Sequence, residues 1–200
     1  MSKKSILLTI DQAIAMTLPQ WMGAGHSANT LFTPSSDDPG LAQKRTAFLC
    51  LAVAIAAHNH QTYGGGSFVE NHLMPVTEVA GGIEGATGPE YAYVSALAAV
   101  HDLLEDCEQD HGGEAILALL REIGGERLAT DVVLLTRRPG VLYADYMHAI
   151  CASGNRAVLR VKLADSLGNF SQCLQEQNYG RAQRYADNLP SLTKALHTLG

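Results

Sequence analysis

The chain has 200 residues, of which 46% are hydrophobic and 17% charged, and its formal net charge is −6. This length and balance fit one domain, or one domain with an extension, with enough apolar residue for a buried core, and they argue against disorder over most of the chain. The acidic balance disfavours duplex nucleic acid, which is held by Lys and Arg at its phosphates, but it leaves room for a small anion where a metal and local cations reverse the potential.

Residues 1–40 stand apart as an N-terminal extension. Lys3 and Lys4 precede a short apolar stretch that Asp11 and Gln12 interrupt before it reaches signal-peptide length, so no secretory leader is expected. Residues 10–18 have the pattern of a short helix, and loop follows, ending in the turn-forming run 33–40. From residue 41 to 200 the pattern is that of a helical domain. Residues 43–60 carry Phe48, Leu51, Ala52, Ile55 and Ala56 at spacings of three and four, until glycines 64–66 break the helix. A short helix is expected over 72–80, with Pro75 near its first turn, and then a loop over 81–88. Pro89 opens a long helix that runs to residue 108.

Helices over 114–123 and 126–135 are separated by Gly124-Gly125. The turn 137–140 leads to helices over 143–152 and 156–175, divided by Ser153-Gly154-Asn155, and a last helical stretch, 181–199, breaks near Pro190. No stretch sustains a two-residue alternation, so the expected fold class is all-α. The longest nearly apolar run, 47–57, is too short to cross a bilayer, and no membrane association is expected. Cys50, Cys107, Cys151 and Cys173 are widely spaced and form no CxxC pair; free thiols in a reducing cytoplasm fit them.

Two segments carry charge where charge is costly. On the helix beginning at Pro89, Asp102, Glu105 and Asp106 fall on one face, with His101 at its edge. Like charges at that spacing repel and call for a cation, although an exposed acidic helix end would also account for this segment. Asp165 lies in the apolar stretch 161–165, where an unpaired carboxylate is expensive; a Lys or Arg partner, or a metal, would satisfy it.

The ordered set His72, His101-Asp102 and Asp165 resembles the H…HD…D signature of the HD-domain metal-dependent phosphohydrolases. The likeness is closer to the branch that hydrolyses guanosine tetra- and pentaphosphate, the Rel/Spo-type hydrolase domains and their small single-domain relatives. Ala57-His58-Asn59-His60-Gln61 matches that branch's opening block, with His58 fourteen residues before His72. His101-Asp102-Leu103-Leu104-Glu105-Asp106 is complete, Thr136 precedes a helix with Tyr143 and Tyr146, and Val161-Lys162-Leu163-Ala164-Asp165 runs on to Asn169. The match covers roughly residues 45–190.

The resemblance implies an HD-domain helical bundle with a metal held by His72, His101, Asp102 and Asp165, and that mixed N/O donor set suits Mn²⁺ among other divalent ions. It implies Glu105 and Asp106 as the catalytic groups that position or deprotonate water, and Asn169 as a substrate contact. Lys162 is a phosphate or structural partner, Tyr143 and Tyr146 line the nucleotide pocket or pack in the core, and His58 orders the pocket. His60 is incidental, and His26, His111, His148 and His197 have no motif context. The expected partner is a small phosphorylated nucleotide, and the expected reaction is removal of the 3′-diphosphate from guanosine tetra- or pentaphosphate. Hydrolysis of another nucleotide, or non-catalytic nucleotide sensing on the same scaffold, are the alternatives. The base-recognition positions depart from the branch: Tyr63 replaces its usual Arg, Phe68-Val69 its Pro-Tyr, Leu73 the Pro after the first histidine, and Ser166-Leu167-Gly168 its Arg-x-His. Tyr63 can still stack on a base. Arg181, Arg184 and Tyr185 are a possible phosphate-binding rim, with a solvated helix face the bland account.

Overall fold

The computed structural model describes residues 39–85 and 87–199. The short helix expected at 10–18, and the extension around it, lie outside the described residues. The helices are α1 (Pro39–His58), α2 (Met74–Gly82), α3 (Gly88–Ala99), α4 (Leu103–His111), α5 (Gly113–Leu135), α6 (Tyr143–Ala152), α7 (Arg156–Gln175), α8 (Tyr179–Ala186) and α9 (Leu189–His197). The fold is all-α, as the periodicity indicates. Among the described residues, no helix is long and apolar enough to cross a membrane.

Two helices form the centre, each burying one long stretch of its residues. α3 buries Ala92, Val94 and the run 96–99; α7 buries 157–161 and 163–166. A helix that is apolar nearly all round is stable only when covered on all sides. α1 and α2 cover α3, α8 and α9 cover α7, and α4 packs on α5. The alanines of α3 let these neighbours approach closely. Asn155 caps α7 by accepting the Val158 N–H at 3.2 Å. Its amide donates to Asp131 Oδ1 at 2.7 Å, and Tyr93 O–H donates to Asp131 Oδ2 at 2.6 Å. A single buried carboxylate thus links α3, α5 and the start of α7. Pro190 sits in the first turn of α9, where a missing N–H costs nothing, and this produces the break expected in 181–199.

Three local features differ from the sequence expectation. The helix expected over 89–108 is two helices, interrupted at Val100–Asp102, where Val100 leaves helical geometry (φ −112°, ψ 11°). The segment before α2 is already helical: 69–73 forms a π turn, closed by the Met74 N–H on the Val69 carbonyl. The glycine break holds a two-residue antiparallel ribbon, β1 (Thr62–Tyr63) with β2 (Gly66–Ser67), turning on Gly64 and Gly65 at positive φ.

The Gly124-Gly125 boundary is a kink in α5, with Gly125 at φ 78° and ψ −179°. A Cβ there would meet nothing within 4 Å, so Gly125→Ala introduces backbone strain and no clash. The substitution is expected to destabilise the chain by ~1–3 kcal/mol, read as a lower urea midpoint at constant slope. An unchanged midpoint would show that the kink is not imposed by the backbone.

Candidate metal centre

The interruption between α3 and α4 places His101 and Asp102. In a continuous helix the Ala98 carbonyl would take the N–H of residue 102. Here the His101 ring donates to it instead, Nδ1 to O at 2.7 Å. That bond fixes the tautomer and leaves Nε2 as the ring's available donor atom. His101 Nε2 is buried and has no hydrogen-bond partner, which is unusual for a buried polar atom and fits a nitrogen that ligates a metal. His72 arrives from the π turn, a distortion that often re-aims a side chain at a functional site. Asp165 arrives from the middle of α7, where only 3% of its surface is exposed.

These four side chains meet. Asp102 Oδ2 lies 3.1 Å from the Nε2 of both His72 and His101. Asp165 Oδ1 lies 3.5 and 3.7 Å from the same two nitrogens. Donor atoms of His72, His101 and Asp102 all fall within 4.8 Å of one another, a spacing one divalent ion can span; Asp165 borders this trio through the imidazoles. The donor set of His72, His101 and Asp102 therefore fits a metal, with the Asp165 carboxylate beside both imidazoles.

The electrostatics attract positive charge. Burial opposes a charge on His101, but the Asp102 carboxylate, then Asp165, outweighs it and raises the imidazole well above its ordinary range. Burial also opposes the Asp165 charge; Lys162, then His101, holds that carboxyl well below the usual range. Lys162 Nζ donates to Asp165 Oδ2 at 2.7 Å, and Asn169 Nδ2 donates to Oδ1 at 2.5 Å. Lys162 is thus a structural partner of the carboxylate, and its ammonium also lies 5.1 Å from the centroid of the Tyr146 ring.

A cavity of ≈ 290 Å³ opens over the centre. Glu105 and Asp106 line it, and Glu105 Oε2 is held by the backbone N–H of Arg137 at 3.0 Å. Partial desolvation, then the carboxylates of Asp102 and Glu105, pushes the Asp106 carboxyl up to about 6, a value suited to passing a proton near neutrality. Tyr63, Tyr143, Tyr146 and Asn169 also reach the lining. Tyr146 is largely a core residue: its O–H donates to the Leu135 carbonyl, and burial raises it to about 12. The Tyr143 hydroxyl is buried without a partner.

His58 does not line the cavity. It is fully buried, stacked 4.9 Å from Phe68, with Nδ1 bonded to Gln61 Oε1 at 2.8 Å, and burial lowers its pKa. It therefore acts from behind, by holding Phe68 against the His72 ring at 5.0 Å. Arg181 and Arg184 line the cavity and are also exposed, so the rim and the solvated helix face are one surface. Tyr185 is buried, and the Arg184 guanidinium lies over the Tyr143 and Tyr185 rings at 5.0 and 5.4 Å. Phe68 and Arg137 also line the cavity, and sequence reasoning did not assign them to the site. For Arg137 the available signal was its place directly after Thr136 in the matching block.

No family model matches the chain, and no curated protein does. Among solved structures, it is similar to one described as a metazoan ortholog of SpoT that hydrolyzes ppGpp and plays a role in starvation responses. The two share 19% identity and a TM-score of 0.53, over 77% of this chain and 93% of that one. A likeness at that identity bears on the fold, and the fold is the all-α helical bundle of the HD type.

Titration of chelator-treated protein with Mn²⁺ is expected to give one strong site per chain. His101→Ala is expected to lower that affinity by more than ~100-fold, beyond the loss typical of outer partners. Equal binding by this variant would remove His101 from the centre.

Proposed function

We propose that this chain is a metal-dependent phosphohydrolase acting on a phosphorylated nucleotide, with guanosine tetra- or pentaphosphate as the best-supported substrate and its 3′-diphosphate as the group removed. One observation carries the reading: two buried imidazoles and two carboxylates converge beneath a cavity that also holds Glu105, Asp106 and three arginines. The known activity of the structurally similar SpoT ortholog and the ordered sequence blocks both support it.

His72, His101, Asp102 and Asp165 would hold the ion, Mn²⁺ being the favoured occupant for this donor set. When bound, it would lower the pKa of a water and polarise a phosphoryl oxygen. The chain's own groups have separable tasks. His101 is locked in one tautomer by the Ala98 carbonyl. Lys162 and Asn169 hold Asp165. Asp106 accepts a proton from the attacking water and returns one to the leaving oxygen, with Glu105 beside it fixed by the Arg137 amide. Arg137, Arg181 and Arg184 neutralise phosphates, and the planar guanidinium suits that geometry. Tyr143 and Tyr185 offer faces to a base or ribose.

A second reading, hydrolysis of a different nucleotide, draws on Tyr63. Its hydroxyl bonds Asn169 and its ring lies 4.6 Å from His72, so it is engaged in the metal centre and does not replace a base-holding arginine.

Incubation of the Mn²⁺-loaded protein with a nucleotide panel, with products resolved by anion exchange, separates the readings. Release of pyrophosphate and GDP from guanosine tetraphosphate is expected. Turnover confined to other nucleotides would favour the second reading, and no phosphate or pyrophosphate release from any nucleotide, despite bound metal, would indicate a sensing module. Asp106→Asn is expected to lower kcat by ~10²–10⁴-fold with cation binding retained.

A further inference from the structure

We infer that Tyr63 is a positioning residue for the metal centre: its hydroxyl locks the Asn169 amide so that Asn169 holds the Asp165 carboxylate in its ligating orientation. This rests on the proposed metal site and assigns to it a residue from outside the four ligands and their direct partners.

The direction of each hydrogen bond in the chain is dictated by chemistry. An ionised carboxylate only accepts, so the Asn169 group facing Asp165 Oδ1 at 2.5 Å must be the NH₂. The amide oxygen is then turned away from Asp165 and needs a donor. The Tyr63 hydroxyl supplies it, 3.0 Å from Asn169 Oδ1. If the amide flipped, its oxygen would face the carboxylate oxygen, two acceptors in contact, so the carboxylate sets the amide's orientation and the hydroxyl holds the oxygen that this turns away. The carboxylate oxygen so held is the one that lies 3.5 and 3.7 Å from the two imidazole nitrogens. Oδ2, in contrast, belongs to Lys162.

Tyr63 is itself well fixed. Its carbonyl accepts from Asn71 Nδ2 at 3.0 Å, and the ribbon pairs it with Gly66. Beside it, Gly64, at positive φ, abuts the end of the Gln172 side chain of α7. The Tyr63 ring lies 4.6 Å from His72 and edge-on to Phe68 at 6.0 Å. One side chain thus touches one presumptive ligand through its ring and orients a second through its hydroxyl. The ribbon brings this residue to α7, 106 positions away in sequence from Asn169.

Tyr63→Phe keeps the ring and removes only the hydroxyl, which makes it the informative variant. Mn²⁺ titration of the chelator-treated full chain is expected to show its affinity lowered ~10–100-fold at unchanged stoichiometry, with a thermal midpoint of the metal-free protein close to the parent's. Asn169→Ala is expected to lose a similar factor. The double variant is expected to lose no more than Asn169→Ala alone, because both changes break one chain of bonds. Parent-like affinity in Tyr63→Phe, alongside lost binding in His101→Ala, overturns this inference and leaves the metal centre standing. Additive losses in the double variant also overturn it. Failure of the parent to bind the ion overturns both.

Discussion

Two carboxylates and two buried imidazoles crowd together at the floor of the cavity, and that juxtaposition demands a compensating positive charge. Asp102 and Asp165 approach the same pair of ring nitrogens, although either carboxylate alone would be costly to desolvate. Lys162 compensates part of this, but it is committed to one oxygen of Asp165. Among the described residues, Asp102 has no lysine or arginine bonded to it in the same way, and its charge is held by the imidazoles, chiefly His101. Such a set is stable when a cation, whether protons on the rings or a metal between them, sits among the donors. The core and the centre are therefore linked: Asp165 projects from the buried half of α7, His101 and Asp102 follow the buried end of α3, and His72 comes from the π turn packed beside them.

The backbone departs from regular helix at the points where two of the candidate ligand segments are delivered. A straight continuation of α3 would carry His101 and Asp102 onward along the helix, with the Ala98 carbonyl spent on the next turn. Ending the helix frees that carbonyl, and the His101 ring takes it up, so the break produces no orphaned acceptor and sets the tautomer. The π turn at 69–73 does comparable work for His72. Asp165 needs no distortion, since it projects from a regular helix whose neighbours at three and four residues, Lys162 and Asn169, hold its two oxygens.

This contrast explains what was legible in the sequence. Asp165 was conspicuous because it interrupts an apolar stretch; Lys162 and Asn169 were picked out by the matching block, but Asn169 only as a substrate contact, and its bond to Asp165 was not foreseen. The helix limits of α6 and α7 were equally plain, marked by glycine, serine and a capping asparagine. The break at Val100–Asp102 was not, because the preceding alanines, valine and leucine favour continued helix and no glycine or proline announces a stop. The signal is a side-chain-to-carbonyl bond three residues back, which propensity and periodicity do not register. Tyr63 was recognised as a departure from the sequence pattern, but its engagement with Asn169 depends on the ribbon crossing to α7. For Arg181 and Arg184 the sequence left a phosphate-binding rim and a solvated helix face both open; which face of α8 meets the cavity is decided by how Tyr185 and Ala182 pack against α7.

The arginines also resolve an apparent conflict between an acidic chain and an anionic substrate. At physiological salt, charges more than about 8 Å apart across solvent are largely screened, so the net charge of −6 says little about the field inside a cavity. The local balance governs: Arg137, Arg181 and Arg184 share the lining with Glu105 and Asp106, and any bound ion adds to the positive side. Arg184 is already stacked over two tyrosine rings, so less side-chain freedom is lost when a phosphate arrives. The carboxylates that would otherwise repel that phosphate are those the ion and the Arg137 amide hold in place. Without a cation the cavity is ambivalent in charge; under the proposed function, a bound ion would tip the same side chains toward a polyphosphate, and substrate binding would depend on the metal as the chemistry does.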